Sequence, residues 1–328
     1  MTFPQGKDRN LADLSKLDPE IRAFLEEMRA GWNDYPPFEE LSFPERRAVA
    51  EKVRARWTEG GPDMAETVDL AFDPGAGELG IRIYFPEGVA RPAPALVYIH
   101  GGGFTLFSIA THDRLMREYA ALGGFAVIGV DYPLAPEAKY PVALDRIETL
   151  MLWLKDHGGE WGVDPARLAM GGDSAGGNLS FAAFLRLREK GEQGIVRAIL
   201  SNYGGFSDRI SDEAEACFGG AGSIMDRAEA ESYWENYLRG PADSADPQAI
   251  PLLADLRGFP PVMLVIPDQD IVAEHSIAMA RRLEEAGVEV DSRIYEGAIH
   301  SFLEAMSVSA LARRGIADGA DFIARKLA

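Results

Sequence analysis

Between about residues 93 and 204, short apolar runs take turns with amphipathic segments: ALVYIH, HDRLMREYAALG, FAVIGVDY, PVALDRIETLMLWLKDHG, RLAMGGD, a helical pattern over 174–190, and VRAILSNY. Strands separated by helix-length crossovers can pair in parallel, and a parallel sheet needs both faces covered. The alternation therefore predicts an α/β fold with a mostly parallel central sheet and helices on both faces. After a pause it resumes with PPVMLVIPDQD, a helix over about 274–286, the strand EVDSRIYEG and a closing helix over about 307–327.

The flanks read differently. Residues 1–60 carry helical spacing in LADLSKLDPEIRAFLEEMRAG, break at Tyr35, Pro36, Pro37 and Phe38, and restart in SFPERRAVAEKVRARW with Ser42 as N-cap and Pro44 in the first turn. TVDLAF and LGIRIYFPEG alternate as half-buried strands around a Gly-rich turn and predict a hairpin. Residues 205–258 interrupt the α/β rhythm with a helix- and loop-forming stretch rich in aromatic and acidic residues. The chain thus divides into an N-terminal helical segment (1–60), a core (61–204 and 259–328) and an insertion (205–258).

Composition narrows the partners. The balance of 33 Lys and Arg against 52 Asp and Glu leaves a formal charge of −19. That sign disfavours nucleic-acid backbones and anionic membrane surfaces, which call for clustered Lys and Arg. The longest apolar runs are strand-sized, so no membrane span is expected. The first ten residues lack the apolar stretch of a signal peptide, which makes a cytoplasmic location the default. The sole cysteine, Cys217, excludes an intrachain disulfide and a paired redox motif and reads as a small half-buried side chain.

The strongest chemical signal is Gly172-Asp173-Ser174-Ala175-Gly176, directly after a strand pattern and directly before a helical one. Small residues on both sides of the serine permit the sharp strand-to-helix turn of a nucleophile elbow, which holds the hydroxyl exposed above the sheet. A nucleophilic serine needs a base, and the chain has five histidines: His100, His112, His157, His275 and His300. In sheet enzymes of this kind the order is Ser, acid, His, which leaves His275 and His300. His300 follows a strand whose end faces the serine's edge and is the expected base, whereas His275 reads as a surface or capping residue. The acid belongs past the end of VMLVI, where Asp268 and Asp270 both qualify and spacing does not separate them. Attack on a carbonyl also needs backbone N–H donors on a closely approaching chain. The glycines of His100-Gly101-Gly102-Gly103-Phe104 supply them, with His100 holding the loop through hydrogen bonds.

With HGGGF, GDSAGG, a late Asp and a later His in that order, the chain resembles the hormone-sensitive lipase family, the bacterial family IV esterases of the α/β-hydrolase fold. VDYPLAPEAKYPVAL and VDPARLAMGGDSAGGNL match further segments of that family. The resemblance implies Ser174 as nucleophile, His300 as general base and acid, Asp270 rather than Asp268 as the triad acid, and Gly102, Gly103 and Ala175 as oxyanion donors. Pro133 stands where the family usually has Arg, which alters how the loop before Leu134-Ala135-Pro136-Glu137 is braced. The family's architecture makes residues 1–60 and 205–258 a helical cap, with a substrate pocket lined by Trp32, Tyr35, Phe38, Phe218, Tyr233, Trp234 and Tyr237. It also implies a carboxylesterase acting through a seryl ester, without metal or cofactor, in a chain that forms homodimers, and a covered apolar pocket with an acidic surface points to small uncharged esters with short or medium acyl chains. An amide, formamide or lactone hydrolase with the same triad, or a silent hydrolase-fold ligand receptor, are the alternatives.

Overall fold

The computed structural model describes residues 13–73, 75, 77–220 and 222–328. Its centre is an eight-stranded sheet: β1 (Glu66–Phe72), β2 (Leu79–Phe85), β3 (Ala93–Ile99), β4 (Ala126–Asp131), β5 (Val163–Asp173), β6 (Val196–Asn202), β7 (Val262–Gln269) and β8 (Val290–Ile299). The spatial order is β1-β2-β4-β3-β5-β6-β7-β8. β1 pairs antiparallel with β2 and β2 antiparallel with β4, while every later pairing is parallel. This is the α/β-hydrolase arrangement, and the predicted hairpin forms its antiparallel edge.

Side chains on a strand alternate between faces, and here the alternation sorts two cores. Val97, Ile99, Ile128, Val130, Met170 and Leu264 pack on one face under α4 (Val142–His157), α5 (Ala175–Glu189) and α8 (Ala273–Glu285). Leu96, Tyr98, Val127, Ala169, Leu200 and Val265 pack on the other under α3 (Asp113–Gly123) and α9 (Ala310–Leu327). The strands are apolar on both sides because both sides are covered.

The N-terminal helices join the second of these cores. α1 (Pro19–Asn33) starts where the Asp18 carboxylate accepts the N–H groups of Glu20 and Ile21 at 2.9 and 3.2 Å. It buries Ile21, Phe24, Leu25, Met28 and Trp32, a stripe at helical spacing. α2 (Phe43–Thr58) begins with Glu45 accepting the Ser42 N–H at 2.8 Å and turns Val49, Ala50, Val53 and Trp57 inward. Phe24 and Trp57 meet edge to face at 4.7 Å, and the Asp18 N–H reaches the Gly297 carbonyl at 3.0 Å, tying this segment to the end of β8. The insertion contributes α6 (Asp212–Phe218) and α7 (Arg227–Tyr237). Cys217 is exposed rather than half-buried. α6 turns Ala214 and Phe218, four residues apart, toward the protein, and Cys217 stands off that face. Among the described residues no helix is long and apolar enough to cross a membrane.

Candidate active site

β5 lies between β3 and β6, so its carboxyl end opens near the middle of the sheet, where ligands bind in folds of this type. There the chain turns from Asp173 into α5 through Ser174, whose φ of 51° is left-handed for a residue with a side chain. The turn is possible because its neighbours are glycines. A Cβ on Gly172 would stand 2.1 Å from the Ile99 carbonyl oxygen, and one on Gly176 1.8 Å from the same atom. The Ser174 N–H donates to the Asn202 carbonyl at 2.9 Å, which leaves the hydroxyl projecting from the N-terminus of α5.

The turns that follow β7 and β8 bring two more groups to this point. His300 Nε2 lies 2.9 Å from Ser174 Oγ, and His300 Nδ1 donates to Asp270 Oδ2 at 2.8 Å. The other Asp270 oxygen accepts the Val272 N–H at 3.0 Å, so the carboxylate is fixed from two directions. Burial alone would lower the basicity of His300, but the charge of Asp270 and its hydrogen bond outweigh it and hold the imidazole above its ordinary value. The two carboxylates that spacing left open are now distinct. Asp268 points elsewhere: it accepts the Gly297 N–H at 2.7 Å and the Gln269 side-chain amide at 2.8 Å. His275 is buried rather than on the surface, because α8 turns that face onto the core, and its Nε2 donates to the Arg209 carbonyl at 2.8 Å.

The glycine loop after β3 forms the facing wall. Gly102 and Gly103 have φ of 108° and 57°, and both border the cavity that holds Ser174 and His300. The loop closes on itself through the N–H groups of Thr105 and Leu106, which donate to the Gly102 carbonyl at 3.0 and 2.9 Å. Ala175, the first residue of α5, directly follows Ser174. His100 Nδ1 donates to the Gly101 carbonyl at 2.8 Å, and its ring stacks on Tyr132 at 4.4 Å. Burial and the neighbouring His112 depress His100 to about 3, so it stays neutral. Arg47 of α2 braces the loop from outside, donating to the carbonyls of Thr105 and Ala135 at 2.9 Å each and pairing with Glu137 at 2.6 Å. Bracing of the Leu134–Glu137 stretch therefore comes from the N-terminal helices.

A second histidine–carboxylate pair lies beneath. Asp173 Oδ1 accepts the Tyr98 hydroxyl at 2.9 Å and the Gly101 N–H at 3.1 Å, and Oδ2 faces His112 Nε2 at 3.2 Å. Burial opposes both charges, yet their mutual attraction wins: Asp173 is held below its usual range and His112 above. Nothing in local spacing announces this pair, since its members are 61 residues apart and meet only through the fold.

The cavity itself is mostly apolar, walled by Leu25, Met28, Trp32, Phe38, Leu106, Phe107, Ile224 and Met225. Of the expected lining residues, Trp32, Phe38 and Tyr233 border it, and Phe218 borders a smaller neighbouring cavity beside Asp270 and Ile271. Trp234 and Tyr237 do not border it: Trp234 stands about 100° of rotation from Tyr233, and Tyr237, a full turn past Tyr233 at the end of α7, reaches the core instead. α7 turns Glu229 and Tyr233 to the cavity and Ala230, Trp234 and Tyr237 inward, where Tyr237 stacks on Phe104 at 3.8 Å. Tyr35 sits beyond the end of α1 beside Lys52 and packs on the N-terminal core. Polar groups in the wall, Arg54 and Glu229 among them, escaped the sequence reading. Arg54 lies over the Phe107 ring at 4.6 Å and pairs with buried Glu304 at 2.7 Å. Glu229 accepts the Tyr233 hydroxyl at 2.7 Å, and burial pushes its carboxyl up to about 7 against the pull of that bond. The i, i+4 spacing of Glu229 and Tyr233 was legible, but the face they share was not.

Comparison with known proteins places the fold in a family. Residues 96–304 match the family described as alpha/beta hydrolase fold. An acetyl esterase of Salmonella dublin is 32% identical over 255 residues, covering 76% of this chain and 77% of the relative, and the acetyl esterase of Salmonella typhi is equally similar. Among solved structures, an ester hydrolase from the metagenome of Lake Arreo, complexed with a bipyridine phosphonate derivative, superposes with a TM-score of 0.88 at 31% identity over 94% of this chain and 98% of that one. A thermophilic carboxylesterase cloned from a metagenomic library superposes with a TM-score of 0.84 at 30% identity over 89% of this chain and 100% of that one. The chain belongs to the α/β-hydrolase fold family, in its hormone-sensitive lipase-like, family IV branch of carboxylesterase-type hydrolases.

Proposed function

We propose that this protein hydrolyses small uncharged carboxylic esters with short or medium acyl chains through a seryl acyl-enzyme. The observation that carries the proposal is the continuous chain Ser174 Oγ, His300, Asp270, with links of 2.9 and 2.8 Å, opening into a largely apolar cavity. As a substrate carbonyl approaches, His300 Nε2 takes the Ser174 proton while Oγ bonds to the carbonyl carbon. Asp270 keeps Nδ1 protonated, so that Nε2 is the basic nitrogen, and stabilises the imidazolium that forms. The oxyanion is received by the N–H groups of Gly102, Gly103 and Ala175. His300 then returns the proton to the departing alcohol, leaving an acyl group on Ser174. Water, deprotonated by the same nitrogen, releases the acid and restores the serine, so one ester and one water give one acid and one alcohol. That relatives of this chain are acetyl esterases supports a short acyl group and an oxygen ester as its substrate.

The test is hydrolysis of p-nitrophenyl esters of increasing acyl length by the intact protein, beside Ser174→Ala prepared identically. Turnover fastest on acetate to hexanoate and lost in the variant supports the reading. Turnover fastest on long acyl chains, or unchanged in Ser174→Ala, refutes it.

A further inference from the structure

α2 touches both arms of chain that flank Ser174, and two of its side chains grip one arm each. Arg47 and Arg54 stand seven residues apart, two helical turns, and so share a face. Arg47 holds the glycine-loop arm. Its Nε donates to the Thr105 carbonyl and its Nη2 to the Ala135 carbonyl, both at 2.9 Å. Those two points are themselves joined, because the Ala135 N–H donates to the Phe104 carbonyl at 2.9 Å and the Thr105 N–H closes back on the Gly102 carbonyl at 3.0 Å. Arg54 holds the other arm. It is buried, pairs with buried Glu304 at 2.7 Å and lies over the Phe107 ring at 4.6 Å. Glu304 sits in the short helix that begins just after His300, its N–H bonded to the Ser301 carbonyl at 3.0 Å. Phe107, Ser301 and Ser174 all have left-handed backbones, with φ of 70°, 61° and 51°. Such conformations cost free energy and persist only where the surrounding contacts over-determine them.

We propose that α2 is a clamp for acyl transfer: Arg47 is a positioning residue for the oxyanion donors of Gly102 and Gly103, and Arg54, acting through Glu304, is a positioning residue for His300. This rests on the esterase reading above. Donors and base serve the transition state only when they are held where the charge develops and where the proton moves. A planar guanidinium suits the first arm, since one fork reaches two carbonyls in fixed directions, which an ammonium does not. On the second arm the ion pair is closed off from water, so salt and solvent do little to loosen it. The N-terminal helices then set the rate of the reaction as well as walling the cavity.

The experiment measures kcat and KM on p-nitrophenyl butyrate for the full chain and its variants, with melting temperature followed alongside. Arg47 does not border the cavity, so Arg47→Met is expected to lower kcat by roughly tenfold to a hundredfold while KM stays within about twofold. Arg47→Lys keeps the charge opposite Glu137 but not the two-carbonyl fork, and its kcat is expected to stay on the order of tenfold below that of the intact enzyme. It decides the first arm if the Met variant does not fold. For the second arm, Arg54→Met/Glu304→Met removes both charges together and leaves neither buried alone. It is expected to lower kcat by about tenfold or more and to shift or broaden the low-field proton resonance of the His300 Nδ1–H bonded to Asp270, a resonance that Arg47→Met leaves in place. Arg54→Lys, which keeps the pairing with Glu304, is expected to retain that resonance and decides the second arm if the double variant does not fold. A kcat for Arg47→Met within about twofold of the intact enzyme, full activity in Arg47→Lys, or a double variant with kcat and resonance both unmoved overturns the clamp. Loss of the resonance in Arg54→Lys overturns it as well. Failure of the intact enzyme to hydrolyse the ester would instead refute the esterase reading.

Discussion

Among the described residues two buried histidine–carboxylate pairs, His300–Asp270 and His112–Asp173, set the same chemistry in different surroundings. In His300–Asp270 the imidazole nitrogen remote from the carboxylate faces a serine hydroxyl and a cavity. In His112–Asp173 the remote nitrogen faces the Thr111 hydroxyl in a closed interior, and the carboxylate also receives the Tyr98 hydroxyl and the Gly101 N–H. Both carboxylates hold their histidines above the ordinary imidazole value. What differs is access. The first pair borders a space where a proton can be delivered and returned, whereas the second is a fixed charge that anchors the base of the glycine loop. A histidine beside a carboxylate is therefore a functional signal only when its far side opens onto somewhere chemistry can occur.

The comparison is broken most severely at the first pair. Asp270→Asn removes the charge and favours the wrong tautomer of His300, so kcat on p-nitrophenyl butyrate is expected to fall by roughly 10³ to 10⁴, with little change in melting temperature. The equivalent change in the second pair, Asp173→Asn, reverses the emphasis. It leaves His112 buried without its counter-charge and is expected to cost about 3 kcal/mol of stability by urea unfolding, while slackening of Gly101 lowers kcat by on the order of tenfold to a hundredfold. A stability loss larger for Asp270→Asn than for Asp173→Asn would erase the distinction.

Acidity sharpens it further. His300 must be neutral to accept the serine proton, and its affinity for protons is raised, so kcat/KM is expected to fall on the acid side with a midpoint above 6.5. Asp173 contributes to that elevation from a distance, so Asp173→Asn is expected to move the midpoint downward. Stability carries contributions of the same sign from both histidines, since both folded values are raised, and a further one from Asp173. The contribution of His112, whose folded value is raised, is complete below its unfolded value and is lost as pH rises through the folded one. That of Asp173, whose folded value is lowered, is complete above its unfolded value and is lost as pH falls through the folded one. The smallest expected effect is that of Tyr98→Phe, which deletes one hydroxyl donor to Asp173 and leaves the other two partners, for about 1 kcal/mol in urea unfolding.

The same contrast explains what could be read from the sequence. Ser174 stood out because its glycines are forced by close backbone contact, and His300 because only two histidines follow the serine. The strand and helix order was legible because a sheet covered on both faces needs apolar runs, and these are local. Asp268 and Asp270 were not separable from spacing, since two residues at a strand end can face different neighbours; only the family resemblance chose between them. Trp234 and Tyr233 differ by one helical step, and which of them meets the cavity depends on how α7 docks on Phe104. The pairs His112–Asp173 and Arg54–Glu304 join distant segments, and no local pattern encodes such meetings.

The central claim is that Ser174 is the group that attacks. A serine-reactive phosphonate followed by intact-mass measurement and peptide mapping tests it without reliance on any one ester. The account predicts a single adduct on Ser174 that abolishes hydrolysis of p-nitrophenyl butyrate and is missing from Ser174→Ala. An adduct at another residue, or full ester turnover by Ser174→Ala, would contradict it.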